Sequence, residues 1–384
     1  MKGKFPIEKF RELKTPFYYY DVDVLKTTLE VVKAEAEKYN FHIHYALKAN
    51  ANPRILSIIN SYGFGADCVS GGEIQAALDA GISADKIVFA GVGKADWEIN
   101  LGLDNDIFCF NVESVEELQV INELALAKKK MASVALRLNP EVNAHTHHHI
   151  TTGLQENKFG INLSLLDEVL DLLPTLSNIK LIGVHFHIGS QITDLTSFEA
   201  LCSRFNEIQD TLLQRNICVE HLNFGGGFGI DYEHPDRHSI PDFKTYFGIF
   251  HKHIKLQPYQ QVHFEPGRSI VGQCGSLISK VLYVKKGTCK TFVILDAGFT
   301  ELIRPVLYSA YHQIENITSD EPVETYDVVG PICESSDFFA KARDLNKTKR
   351  GDLYAIRTAG AYGEVMASQY NCRKLPSAYF SDLM

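Results

Sequence analysis

Five short polar segments hold most of the chemical capacity of this 384-residue chain. Lys48 stands in Tyr45-Ala46-Leu47-Lys48-Ala49-Asn50, and Asp67 closes Gly65-Ala66-Asp67. His185 and His187 run into Gly189-Ser190. Gly225, Gly226 and Gly227 form a triplet, and Glu265-Pro266-Gly267-Arg268 form the last segment. A lysine in partly desolvated surroundings can lower its pKa and form an imine with an aldehyde. A glycine-rich loop presents unhindered backbone N–H groups to a phosphate. An imidazole can lie flat on an aromatic ring, and a carboxylate beside a heteroaromatic nitrogen favours its protonated form. Taken singly, each segment is ordinary. A lone lysine is most often solvated, a glycine triplet most often a tight turn, and His185 or His187 a satisfied core histidine. Their weight comes from where they fall: each ends a different candidate strand.

Those strands follow from alternation of apolar residues at 41–46, 65–68, 87–90, 107–110, 134–138, 181–187, 221–224 and 262–265. Between them the spacing turns helical. Val24, Leu25, Leu29, Val32 and Ala36 predict a helix over 24–39. The stretch 73–80 reads as a helix stopped by Gly81, and Ser114 with Glu117 as a capping box for another. Strand–helix alternation repeated eight times predicts an α/β fold, a (β/α)8 TIM-type barrel over 24–271. An open doubly wound sheet is the alternative. In such a barrel the βα loops converge on one face, where the five polar segments would meet. After residue 272 helix signals fade. Alternation over 276–296 and a strand-like run at 352–357 predict a second, mostly antiparallel β-domain of residues 1–23 plus 272–384, joined by Phe17-Tyr18-Tyr19-Tyr20.

A formal net charge of −9 argues against nucleic acid or an anionic membrane as partner. No apolar run follows the N-terminus, so no signal peptide is expected. The eight cysteines form no CxxC pair, which suits free thiols in a cytoplasmic protein. Cys68 and Cys109 read as inert buried thiols, and His42 and His44 as polar barrel-exterior or core positions. Trp97 is expected in a helix–barrel seam, and Lys128-Lys129-Lys130 at a solvated helix end. His145-Thr146-His147-His148-His149 invites a metal reading, but it lacks the usual cysteine or acid beside it. A loop lining the site entrance is the preferred reading, with no metal.

The segments resemble the fold type III pyridoxal-phosphate decarboxylases over nearly the whole chain. The resemblance continues through Arg304-Pro305-Val306-Leu307-Tyr308, Gly330-Pro331-Ile332-Cys333-Glu334-Ser335-Ser336-Asp337 and Gly360-Ala361-Tyr362. It implies Lys48 as the lysine that holds pyridoxal 5'-phosphate and His187 as the imidazole stacked on its ring. It implies Ser190, Gly225, Gly226 and Gly227 as phosphate ligands, with backbone groups of the Glu265–Arg268 turn, Gly267 and Arg268 among them. Glu265 would face the pyridine nitrogen, Asp67 would lie near Lys48, and Tyr362 would contact cofactor and substrate. Cys333 and Glu334 resemble residues that cross a homodimer interface into the partner's site, so the β-domain would complete both site and interface. The family normally continues past Tyr370-Asn371 into a further strand; the ending here, 375–384, departs from that pattern, so that strand is expected to be missing or altered.

The resemblance also implies a reaction. A carboxylate at the ring nitrogen keeps the ring cationic and able to accept an electron pair as CO2 leaves, whereas related racemases place an arginine there. Glu265 therefore points to decarboxylation. Cys333-Glu334-Ser335 fits a substrate whose far end bears a carboxylate and an ammonium, namely meso-2,6-diaminopimelate, giving L-lysine. Arg268 and Arg304 can each form a bidentate pair with a carboxylate. Glu334, with Tyr308, would take the ammonium. Ornithine, arginine or carboxynorspermidine are the alternative substrates; a racemase or a single-barrel cofactor carrier ranks lower.

Overall fold

The structure, a computed structural model, describes residues 5–142 and 158–384. The chain divides into two compact units, Leu29–Gly229 with Asp242–Gly267, and Met1–Thr28 with Ile230–Pro241 and Arg268–Met384. This partition differs from a division at 24 and 271 mainly in residues 230–241. They join the second unit, where the Arg357 guanidinium pairs with Asp236 at 2.7 Å and the Gln273 amide bonds the His238 carbonyl.

The first unit is a barrel of eight parallel strands: Phe41–Ala46, Gly65–Cys68, Ile87–Phe89, Cys109–Val112, Ala132–Asn139, Ile179–His185, His221–Asn223 and Gln261–Phe264. Pairing of the eighth strand with the first, and of the fourth with the fifth, closes the ring and rules out an open sheet. The fourth strand lies two residues beyond the predicted 107–110: ladder pairing starts at Cys109, and Phe108 just before it packs across the barrel, edge-on to the His221 ring at 4.9 Å and beside the His44 and His263 rings. Barrel helices pack as their spacing requires. Thr196–Gln214 buries Phe198, Leu201, Phe205, Ile208 and Leu212 on one stripe, and Phe243–His253 buries Phe243, Tyr246, Phe247 and Phe250. Phe250 meets Phe224 and Phe264 at 5.2 and 4.7 Å. Each such ring stabilises the fold by roughly 2 kcal/mol when fully buried. These two anchored rings immediately precede Gly225 and Glu265, so the packing fixes where both functional segments begin.

The second unit holds a mixed, mostly antiparallel sheet. Its central path runs Ile314–Asn316, Leu353–Ile356, Gly275–Lys286, Thr291–Leu295, Val323–Val329 and Phe338–Asn346. Phe17–Tyr20 joins antiparallel to Gly275–Lys286. Of the expectation that a strand in 375–384 would be missing or altered, the first half does not hold: Ser377–Phe380 pairs parallel with Phe17–Tyr20, and Phe17 meets the Tyr379 ring at 5.1 Å.

Smaller features also depart from expectation. Ser114 accepts from the Glu117 amide at 3.1 Å, but the Glu117 carboxylate turns to the Glu113 amide and the Lys94 ammonium, leaving half a capping box. Trp97 is not in a seam. It is 61% exposed, its ring lying over Gly71, whose missing Cβ leaves room for it. Lys128 and Lys130 do end a helix, where they pair with Asp104 and Asp106. Cys68 and Cys109 are buried, and burial raises both thiol pKa values, as expected of inert thiols.

His42 and His44 belong to a stacked histidine group. The Lys86 carbonyl can only accept, so His44 donates its Nδ1–H to it at 3.0 Å. His44 Nε2 then accepts from His263 Nδ1–H at 3.0 Å, and His263 Nε2 from His221 Nδ1–H at 3.0 Å. Burial pushes His44 down from 6.5 to about 4. An unfolded chain protonates it near 6.5 while the folded chain resists until about 4, so stability is complete above 6.5 and falls as pH drops through that window. The loss from His44 is on the order of 3 kcal/mol. Replacing His44 with Phe is expected to flatten the stability slope between pH 6.5 and 4, read by urea unfolding at several pH values.

Candidate active site

Each polar segment of the barrel unit lies at or just past the C-terminal end of its strand. Lys48 is two residues past the first strand, Asp67 sits inside the second, His187 is two past the sixth, Gly225 two past the seventh, and Glu265 one past the eighth. The four even-numbered strands thereby supply Asp67, Asn111, His185 and Glu265, in keeping with a barrel interior filled by layers drawn from alternate strands.

Glu265 is the centre of this group. Its Oε1 accepts from Asn223 Nδ2 at 2.6 Å and Asn111 Nδ2 at 3.2 Å, and its Oε2 meets His185 Nε2 at 2.9 Å. Burial alone would raise its pKa. The interaction and hydrogen bond with His185, and the Lys48 charge, outweigh burial and hold the carboxyl well below the usual carboxylate range. Asp67 goes the other way: burial, then the neighbouring Glu265 charge, raises it despite the Lys48 ammonium, whose Nζ lies 3.0 Å from Asp67 Oδ2. Asp67 Oδ1 and His185 Nδ1 are buried with no hydrogen-bond partner among the described residues. His187 is pushed well below 6.5 by burial and then by the Lys48 and Arg137 cations, so its imidazole is neutral.

The glycine triplet is shaped by close approach. A Cβ on Gly225 would strike the Phe186 carbonyl oxygen, one on Gly226 the Glu265 carbonyl oxygen, and one on Gly227 would lie 2.6 Å from the Gly189 carbonyl oxygen. Gly225 and Gly227 also take φ of +66° and +104°, which favours glycine. Gly225 N–H donates to Asn223 Oδ1 at 2.9 Å and Gly226 N–H to His187 Nδ1 at 3.3 Å. Gly267 fits against Ala46 and Ala49 beneath the Lys48 turn. Ser190 sits beside the triplet, where Ile192 N–H bonds the Gly227 carbonyl at 2.9 Å.

The remaining expected residues lie in the second unit. Arg268 Nη1 donates to Tyr232 Oη, and its guanidinium lies 4.8 Å from the Tyr362 ring centroid. Arg304 lies 4.7 Å from the Tyr232 ring, and Tyr308 adds to the field around both arginines. Cys333 and Glu334 are exposed and tied elsewhere: Cys333 N–H donates to Asn371 Oδ1 at 3.2 Å, and Tyr370 Oη donates to Glu334 at 3.0 Å. His145 to His149 lie outside the described residues.

Sequence reasoning passed over Asn111, Asn223, Arg137, Tyr232 and His312. Arg137 forms a 2.8 Å ion pair with Glu113, both buried. The available signal was a polar residue interrupting an apolar strand, as in Cys109-Phe110-Asn111-Val112 and Ala135-Leu136-Arg137-Leu138.

Residues 25–272 match the pyridoxal-dependent decarboxylase, pyridoxal binding domain. A diaminopimelate decarboxylase from Bacteroides thetaiotaomicron is 67% identical over 383 residues, covering 100% of this chain and 99% of that protein. The chain belongs to the diaminopimelate decarboxylase family. A relative from Neisseria meningitidis serogroup B is 43% identical, over 94% of this chain and 86% of that one. The crystal structure of the family member from Helicobacter pylori, complexed with L-lysine, superposes with a TM-score of 0.91 at 41% identity, covering 97% of this chain and 93% of that one. The pyridoxal phosphate of this family suits the barrel residues: an amine at Lys48, an ionised carboxylate at Glu265, a neutral imidazole at His187, and buried atoms on Asp67 and His185 that still need a partner.

If the donors to Glu265 hold this arrangement together, removing one leaves a buried carboxylate underbonded. Asn223→Ala is expected to cost about 1–3 kcal/mol of stability, and Asn111→Ala less because its bond is longer, both measured by chemical denaturation.

Proposed function

We propose that the chain decarboxylates meso-2,6-diaminopimelate to L-lysine and CO2, the last step of lysine biosynthesis, with pyridoxal phosphate as cofactor. The observation that carries this reading is Glu265, kept ionised by two asparagine amides and His185. The bound cofactor supplies an electron sink, and a carboxylate at its ring nitrogen keeps that sink cationic. An arginine there would suit proton shuttling; this chain has none. Lys48 provides the amine for the cofactor aldehyde, with Asp67 3.0 Å away to receive or return its proton. His187, being neutral, would lie against the cofactor ring without competing for its charge. Ser190, the glycine turn and the Gly267 turn hold the phosphate. Arg268 and Arg304 take carboxylates, Tyr362 supports Arg268, and Glu334 with Tyr308 takes the distal ammonium. Cys333 of a neighbouring subunit protonates the α-carbon after CO2 has left, which makes the working form a homodimer.

A cytoplasmic location is part of the same proposal. All eight cysteines are free, and no helix among the described residues is long and apolar enough to cross a membrane.

The direct test is a coupled assay for CO2 and lysine with purified protein, added cofactor and meso-diaminopimelate. Turnover is expected, and Lys48→Ala is expected to abolish both it and borohydride trapping of the cofactor. Strong activity on ornithine with none on diaminopimelate would overturn the reading. For the shared site, mixing Cys333→Ala chains with Lys48→Ala chains is expected to restore activity that neither has alone; no recovery would remove Cys333 from the partner's site.

A further inference from the structure

Arg304 is a buried cation without the usual compensation. It is 6% exposed, and among the described residues no carboxylate lies within ion-pair distance of it. Arg357 in the same unit shows the ordinary solution, pairing with Glu315 at 2.9 Å and Asp236 at 2.7 Å. A buried ion normally needs such a partner, because desolvation costs several kcal/mol per charge. The Arg304 guanidinium is held by neutral groups instead. Its Nη1 donates to His312 Nε2 at 2.8 Å, and the Tyr232 ring covers it at 4.7 Å. Tyr232 in turn meets the His312 ring edge-on at 5.2 Å.

The tautomer of His312 follows from its second bond. Nδ1 lies 2.9 Å from the Arg357 carbonyl oxygen, which can only accept, so Nδ1 carries the proton and Nε2 has a free lone pair for Arg304. The scaffold is rigid. Arg357 N–H returns a bond to the Gln313 carbonyl at 2.8 Å, and the following strand Ile314–Asn316 pairs with Leu353–Ile356. His312 itself is 1% exposed, and burial followed by the Arg304 charge pushes it down to about 3, so the lone pair persists at any working pH.

We propose that His312 is a positioning residue for substrate recognition: a neutral acceptor that aims the Arg304 guanidinium without neutralising it, leaving its charge for the distal carboxylate of the substrate. An acidic residue here would orient Arg304 equally well but would occupy the charge that the ligand needs. This rests on the carboxylate-binding role given to Arg304 above. Decarboxylation removes the other carboxylate, so the product lysine retains the group that Arg304 binds, whereas the diamine cadaverine has no such group. His312 should therefore govern discrimination between those two ligands.

The experiment compares His312→Gln, His312→Leu and His312→Glu in the cofactor-loaded enzyme, measuring kcat and KM for meso-diaminopimelate and the inhibition constants of L-lysine and cadaverine. Gln returns an oxygen acceptor near the Nε2 position, and its KM is expected to stay within about threefold of wild type. Leu is expected to raise KM and the lysine inhibition constant about tenfold or more, with kcat much less affected and the cadaverine constant unchanged. Glu is expected to raise them at least as far, because its carboxylate pairs with Arg304. A Leu variant that folds, binds cofactor and keeps the wild-type preference for lysine over cadaverine would overturn the proposal. If Leu does not fold, equal KM values for Gln and Glu would overturn it instead. Wild-type enzyme inactive on diaminopimelate would refute the proposed function, a result separable from either of these.

Discussion

The barrel unit depends on keeping one carboxylate ionised where no water reaches it. Burying such a charge costs several kcal/mol, and Glu265 offsets this with Asn223, Asn111 and His185. Asn111 comes from the fourth strand and Glu265 follows the eighth, on opposite sides of the ring. Their 3.2 Å bond spans the barrel mouth, so it exists only because the sheet closes. The aromatic packing under Phe224 and Phe264 then determines the height at which Gly225 and Glu265 leave their strands. Function and fold are thus coupled through one set of contacts.

Charge is divided between the carboxylates of this unit with some economy. Asp67 and Glu265 repel each other, and the protein resolves the conflict by giving them different neighbours. Glu265 receives three donors and stays ionised. Asp67 keeps one oxygen without a partner, and its proton affinity is raised, held in check by Lys48. A carboxyl so poised beside a lysine can exchange a proton with it, which supports the role proposed for Lys48. In the second unit the balance is reversed. Arg268 is buried against the Tyr232 and Tyr362 rings, and Arg304 against the Tyr232 ring and the neutral His312.

Most of the barrel could be read from the chain, because parallel strands buried on both faces leave compact apolar runs bounded by helix caps. The failures have local causes. The fourth strand slipped by two residues because Phe108 fits the alternation but packs across the barrel against His44, His221 and His263, and pairing starts only at Cys109. Trp97 was expected in a helix–barrel seam, yet it lies exposed over Gly71. The last strand was doubted because residues 375–384 depart from the family pattern; its partner, 17–20, lies far away in sequence.

Residue type and spacing alone determined that a lysine, an imidazole, a glycine turn and a carboxylate would end successive strands, since that order is written along a single chain and read by period. Spacing could not say which polar side chains would serve them. Asn111 and Asn223 reach Glu265 across a closed ring, and His312 acquires its role from a carbonyl 45 residues away. Those pairings depend on distances through space between residues remote in sequence. Only the closed barrel and the paired sheet create them.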